Sequence, residues 1–575
     1  MTIMKIQYYY HILQKGFACW GIAFALLMAF SSCESELDEV PDNRTEIDSP
    51  KKVALLLVSA YPQATPAVVC ELFGDNLIDN NVVQTGLHRS PYKEFHSEAY
   101  AWENITNYGT GEDDTPYQVW EQYYFGIATA NHAIRAMKEM SSDPAHDPEL
   151  SHSWGEAHVL RAYLHFVLVN VFAECYKDEA QSSADYGIPY VTEPEEVVNV
   201  NYGDEKFRHS VKETYDLIEK DLLEGIDLID DSKYKVPAYH FNKNACYAFA
   251  TRFYLYKRDY DKVIKYADLA LGSNPASMLR KWGSINTNTI DAMNNSYNDE
   301  NAACNFLLQS TYSLQNRMIS NARFNIGSKG SAEDKVKNAD EAIYGAGPNW
   351  SSRLKCYSGK MIYNGNQEDG SWLFRIVEYF EYDDKIAGIG WVHIIYQPFT
   401  AEETLLCRAE AKLYKGDKEG AIADLQVWTK SKEVEADLTL ARINSFYRSS
   451  KTAEEIEKDN YISELHPTDI SPEFKKLEGD DLSVLYCILH FRRIETMFEG
   501  LRWFDIKRYG IKVRHVYRGP TDSGNTADEL NWNDKRRVMQ IPQNVINAGY
   551  PSTERITKVN QNTPLAQKPQ LLTNE

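Results

Sequence analysis

Between Arg492 and Gly510 the chain reads RRIETMFEGLRWFDIKRYG, a run in which Arg492, Arg493, Glu495, Glu499, Arg502, Asp505 and Arg508 crowd acids and bases together. Two carboxylates in one place could divide acid and base work if their surroundings pushed their pKa values apart. On a continuous helix, however, Arg492–Glu495, Glu499–Arg502, Arg502–Asp505 and Asp505–Arg508 become opposite-charge pairs three residues apart, each worth about 0.2–0.5 kcal/mol on an exposed face. An arginine beside each acid holds it ionised, which suits no general acid. Ile494, Met497, Phe498, Leu501 and Phe504 fall on one side of the same helix, and Gly510 is a fitting end to it. The spacing predicts a structural helix here, with no catalytic residue.

Other chemical signals are equally thin. His158 and His165 lie seven apart on an apolar helix, too far to share a metal without outside ligands, and read as core histidines. H-E-x-x-H, G-x-S-x-G and phosphate-binding glycine loops are missing from the sequence. GEDD and YDDK read as acidic turns. The expectation is therefore no metal and no cofactor. Aromatic side chains are abundant, with 38 Tyr, 22 Phe and 11 Trp. Sugars bind through apolar C–H faces laid on such rings, with amides and carboxylates taking the hydroxyls. Candidate contacts sit in two irregular insertions, 74–116 and 272–395. Trp102, Tyr108 and Asn107 (with Asn104) stand in the first, and Trp282, Tyr312 and Trp350 (with Tyr297) in the second. Asp79, with Asp75, could take a hydroxyl or serve a turn. Trp102 is the leading candidate.

The elements that must hold these loops are helical. Trp120, Tyr124, Ile127 and Asn131 share one helix face. Residues 156–172 are apolar nearly all round and predict a buried helix. Ser210 with Glu213 three residues on is a capping pair for an amphipathic helix. Residues 245–271 and 401–425 each read helix, short turn, helix, and aligning Asp259 with Asp417 also matches Ile264 to Ile422. Such tetratricopeptide-like hairpins bury their faces against neighbours. The fold class is mainly α: a helical-hairpin scaffold with long loop insertions and a few short strands, the latter at 372–380 and 391–397.

At the amino end Lys5 and Lys15 precede an apolar run of about fourteen residues, Phe17–Phe30, too short to span a bilayer and long enough for a signal peptide. It closes at FSSC, so residues 1–32 resemble a bacterial lipoprotein signal with Cys33 as the lipidated residue. Residues 33–50, acidic and turn-rich, read as a tether. Residues 51–575 form one domain, helical over 51–271, loop-rich over 272–395 and helical again over 396–575. The remaining cysteines are odd in number and show no C-x-x-C pair, which argues against a disulfide framework and a zinc site; Cys246, Cys407 and Cys487 read as buried small hydrophobes. A net charge of −22 excludes a nucleic-acid footprint.

The opening stretch resembles the carboxy-terminal signature of the SusD/RagB family: Arg492, Arg493, Glu495, Glu499, Gly500, Arg502, Asp505, Arg508 and Gly510 all match its pattern. Residues 539–550, MQIPQNVINAGY, resemble the family's closing segment, with Asn544 where an acid is usual. The helices at 120–131 and 156–172 and the RDYDKV turn fall in the family's order, with Arg258 where a glycine is usual. The resemblance implies a non-enzymatic lipoprotein of the Bacteroidetes outer membrane, facing outside. It would capture an oligosaccharide and deliver it to a SusC-like TonB-dependent transporter. A surface glycoside hydrolase, or the same transport role with a peptide or other non-sugar nutrient, are the alternatives.

Overall fold

In a computed structural model of the protein, residues 46–81, 90–109, 111–195, 207, 209–286, 288–326, 346–351, 354, 374–448, 464–518 and 526–553 are described. The apolar run at the amino end, Cys33, most of the tether and Cys356 lie outside them. Residues Ser49–Glu575 cluster as one unit.

Helix starts follow the predicted chemistry. Helix α1 (Pro116–Met140) begins where Thr115 Oγ1 accepts the Gln118 amide at 3.1 Å, and Trp120, Ile127 and Asn131 on its predicted inner face are buried. Helix α2 (Ser151–Phe172) is enclosed along almost its whole length, as an all-round apolar helix must be. Helix α3 (Val211–Gly225) carries the expected capping box: Glu213 Oε2 accepts from the Ser210 amide at 2.8 Å, and Ser210 Oγ from the Glu213 amide at 3.1 Å.

Two helical hairpins follow as expected, α4 (Lys243–Lys257) with α5 (Tyr260–Leu271), and α6 (Ala401–Tyr414) with α7 (Lys418–Ser431). Asp259 and Asp417, matched by sequence, are the N-caps of α5 and α7. Arg258 occupies the left-handed turn, φ 65°, where the family resemblance expects glycine. Its guanidinium stacks 4.0 Å from the Phe474 ring and donates to the Lys177 carbonyl at 2.5 Å, contacts that offset the backbone strain. Successive helices pack side by side: α1 on α2, α2 on α3, α4 on α5, α5 on α6, α6 on α7.

The opening stretch departs from expectation. It is two helices, α8 (Gly479–Glu495) and α9 (Leu501–Tyr509), parted at 496–500 where Phe498 and Gly500 take φ of 67° and 75°. Gly500 is required: a Cβ there would stand 3.0 Å from both the Ala67 Cα and the Cys70 Cβ. The break turns the charges inward, so the exposed three-residue pairs do not form, except Arg508–Asp505 at 2.8 Å, and that one is buried. The others reach distant segments: Arg492 to Asp505 (2.9 Å), Arg502 to Asp75 (2.7 Å), Arg493 to Asn76 (2.8 Å), Arg508 to Glu410 (2.9 Å), Glu499 to Arg375 (2.6 Å) and Glu495 to Lys432 (2.6 Å). The charges of the motif form a buried clasp between segments.

Strands are few. β1 (Asn305–Tyr312), β2 (Tyr379–Asp384) and β3 (Ile389–Thr400) make an antiparallel sheet in the order β1-β3-β2. The expected strand at 391–397 lies within β3. That at 372–380 is only partly found, since 374–376 form a 3-10 turn and β2 begins at Tyr379. A hairpin of β4 (Val513–Tyr517) and β5 (Thr526–Leu530), and a short pairing of Ile78–Asp79 with Phe324–Asn325, complete the described sheets. No helix among the described residues is long and apolar enough to cross a membrane.

Candidate functional site

Most sequence candidates are structural. Trp102, the leading one, is 1% exposed. Its indole N–H donates to the Phe73 carbonyl at 2.9 Å, His515 stacks on the ring at 4.1 Å, and the Arg536 guanidinium stands 5.5 Å away. No face is left for a sugar, so the expectation for Trp102 is corrected. Its sequence neighbourhood looked like a polar loop, but the imidazole and guanidinium it meets come from a segment some four hundred positions on. Asp79 is likewise spent: Arg323 holds it by two bonds of 2.7 and 2.6 Å and the Arg518 amide donates at 2.8 Å. Asp75 pairs with Arg502. Trp282 and Tyr297 are buried beside Lys432 and Arg280. Trp350 is half-buried, 5.6 Å from Phe491.

Besides Trp350, the candidates that reach solvent include Asn107, Tyr108 and Tyr312. Asn107 donates its backbone N–H and side-chain amide to Glu98, both at 3.0 Å, which fixes the loop. Tyr108, half-buried, stacks on Tyr117 at 6.2 Å and 13°.

Tyr312 has richer company. Strand register pairs it with His393, and pairs His393 in turn with Tyr379. Cross-strand partners share a face, so the three rings stand in a row: Tyr312 lies 4.4 Å and Tyr379 5.3 Å from His393. Two residues along β3, Trp391 joins the same face, 5.7 Å from Tyr312 and 51% exposed. Tyr379 is 39% exposed and shares a 2.5 Å hydrogen bond with Ser310. Glu381, paired with Trp391 by register, comes within 3.6 Å of His393 Nε2, and Asp383 accepts the Trp391 indole N–H at 2.6 Å.

A loop from the first insertion closes one side. Asp114, φ 64°, accepts from Ser313 Oγ at 2.7 Å and from the Leu314 amide at 2.8 Å, which ties residues 111–114 to the end of β1. Burial pushes its carboxyl up to about 7. Asp113, next to it, acts electrostatically on both His393 and Tyr312. Burial raises the Tyr312 phenol, and Asp383, Glu381 and Asp113 push it the same way. Tyr379, Trp391, His393 and Asp113 were not singled out as candidates from sequence. The alternation Tyr379, Glu381, Asp383 and Trp391, His393 was readable, but the register that joins them to Tyr312 was not. Such a face offers flat apolar rings rimmed by hydroxyl and carboxylate groups, the chemistry that holds a sugar ring. The described residues hold no cluster of histidine, cysteine or carboxylate groups arranged for a metal.

Residues 36–255 match the family model SusD-like_3, described as starch-binding associating with outer membrane. The chain is 24% identical to SusD-like protein P38 of Formosa agariphila, over 90% of this chain and 96% of that one. Among solved structures it is similar to a putative sugar binding protein from Bacteroides vulgatus (16% identity, TM-score 0.54, 89% and 99% of the two chains). It is also similar to a SusD superfamily protein from Bacteroides thetaiotaomicron (15% identity, TM-score 0.52, 88% and 100%). At these identities the solved structures speak for the fold, a helical scaffold of the same kind.

Proposed function

We propose that the chain is a carbohydrate-binding protein of the SusD/RagB kind which captures an oligosaccharide on the face of Tyr312, Tyr379 and Trp391, a reading supported by the family-model match over residues 36–255 and the likeness to SusD-like protein P38. The observation that carries this reading is the row of rings around His393, three of them reaching solvent on an antiparallel sheet. Tryptophan and tyrosine have only two side-chain torsions each to fix, so they lose little conformational entropy when a ligand lands and more of the contact energy remains as affinity.

The finer reading places the protein on the outer membrane, anchored through a lipid on Cys33 and working with a SusC-like TonB-dependent transporter that receives the sugar. It is supported by the short apolar run ending at FSSC, by the family description and by the acidic tether. Capture without chemistry is part of the proposal. The test is calorimetric titration of protein lacking residues 1–33 with a panel of plant and host oligosaccharides, with product analysis of the same samples. Binding that disappears in a Tyr312→Ala, Trp391→Ala double variant supports the reading. Shortened sugar in the samples would turn it towards a glycoside hydrolase, and retained affinity in the double variant would move the site elsewhere.

A further inference from the structure

We propose, building on the capture reading above, that this face selects uncharged glycans and rejects polyanionic ones such as polyuronates and sulfated polysaccharides. The argument is the sign of the charge around the rings. Glu381 lies across from Trp391, Asp383 holds the Trp391 indole, and Asp113 is pinned beside Tyr312 by the bonds of Asp114. From Glu378 to His393 the hairpin carries Glu378, Glu381, Asp383 and Asp384 against a single lysine, Lys385, which sits in the turn at the tip.

Among the described residues, two cations nearby are already matched. Arg317 meets Glu378 at 2.8 Å and Lys93 meets Glu112 at 2.8 Å, so neither adds net positive charge at the rings. His393 is 4% exposed, and its Nδ1 has no hydrogen-bond partner among the described residues. A single imidazole facing Glu381 does not balance three carboxylates. An anionic sugar laid on the rings would bring like charges together at close range with no unmatched arginine among the described residues beside the rings to receive them, whereas a neutral sugar meets acceptors for its hydroxyls. The net charge of −22 adds repulsion of the same sign at longer range.

The experiment compares neutral hexasaccharides (maltohexaose, cellohexaose, xylohexaose, mannohexaose) with hexagalacturonate, hexamannuronate and a sulfated carrageenan hexamer, at about 50 mM and about 500 mM salt. The expected result is a neutral ligand that binds at least tenfold tighter than any anionic one at low salt. The gap should narrow at high salt, where charges are screened within a few ångströms, and should narrow again in a Glu381→Gln, Asp113→Asn variant. An anionic hexamer that binds as well as the best neutral one, and weakens when Trp391 is replaced, overturns the charge selection and leaves the capture reading standing. Failure of every hexamer of either class to bind overturns both.

Discussion

Arg492 and Asp505 stand thirteen positions apart on consecutive helices and meet at 2.9 Å with neither side chain exposed at all. The same carboxylate takes Arg508 at 2.8 Å through its other oxygen. Against the desolvation of burial, these two guanidinium groups hold the Asp505 carboxyl below its ordinary range. Arg492 also reaches Glu403 at 3.4 Å, and Arg508 reaches Glu410 on α6, so one aspartate links α8, α9 and the second helical hairpin. A buried pair is costly to break because the surviving partner is left uncompensated. Asp505→Asn is therefore expected to lower unfolding free energy by roughly 3–5 kcal/mol. Lys415→Ala, which removes the exposed pair with Asp261, should cost under about 1 kcal/mol. Urea unfolding of the two variants side by side checks this, and equal losses would sink it.

The two kinds of tryptophan should part company. Trp391→Ala is expected to leave the melting temperature nearly unchanged and to weaken glycan binding about tenfold or more, equivalent to about 1.4 kcal/mol. Trp102→Ala should cost about 3–5 kcal/mol of stability by opening a cavity and stranding the Phe73 carbonyl. A milder Trp102→Phe, soluble and folded, should keep most of the wild-type affinity. Titration calorimetry with thermal melts separates these, and a tenfold affinity loss in folded Trp102→Phe would contradict the assignment.

Asp114 gives a pH signature. Its folded pKa of about 7 is raised by burial above the ordinary value of 3.8, so its contribution to stability is fully present below about pH 4 and is lost as pH rises through 7. Asn at this position tolerates the left-handed backbone and can serve both contacts if the Ser313 hydroxyl turns to accept. Asp114→Asn is thus expected to gain stability relative to wild type between pH 4.5 and 7.5, by up to roughly 1.4 kcal/mol per unit. Denaturation at three pH values in that window measures it; a difference that stays constant would rule the assignment out.

For the anchor, Cys33→Ala expressed in a Bacteroidetes host should leave the protein out of the membrane fraction and without incorporated palmitate. Fractionation with labelled fatty acid reads this directly, and undiminished labelling would remove Cys33 from the anchor.

What the sequence determined by itself was local. The helical hairpins, the Ser210 capping box, and Asp259 and Asp417 as matched helix starts depend on residues within a turn or two of each other, where periodicity and capping act without help from distant segments. Cys246, Cys407 and Cys487 are buried for the same reason: they sit on apolar helix faces. The signature from Arg492 to Gly510 was readable as helical but not as two helices, because the break at Phe498 and Gly500 is set by the approach of Ala67 and Cys70 from more than four hundred residues away.

The choice among aromatics belonged to tertiary structure. Trp102 and Trp391 both lie within the two insertions, yet one is sealed by His515 and Arg536 and the other stands open beside Tyr312. Burial is a property of what arrives from elsewhere in the chain, and composition around a residue does not encode its distant neighbours. Strand register, which sets Tyr312, His393 and Tyr379 on one face, is likewise a relation between segments, decided only when β1, β2 and β3 pair.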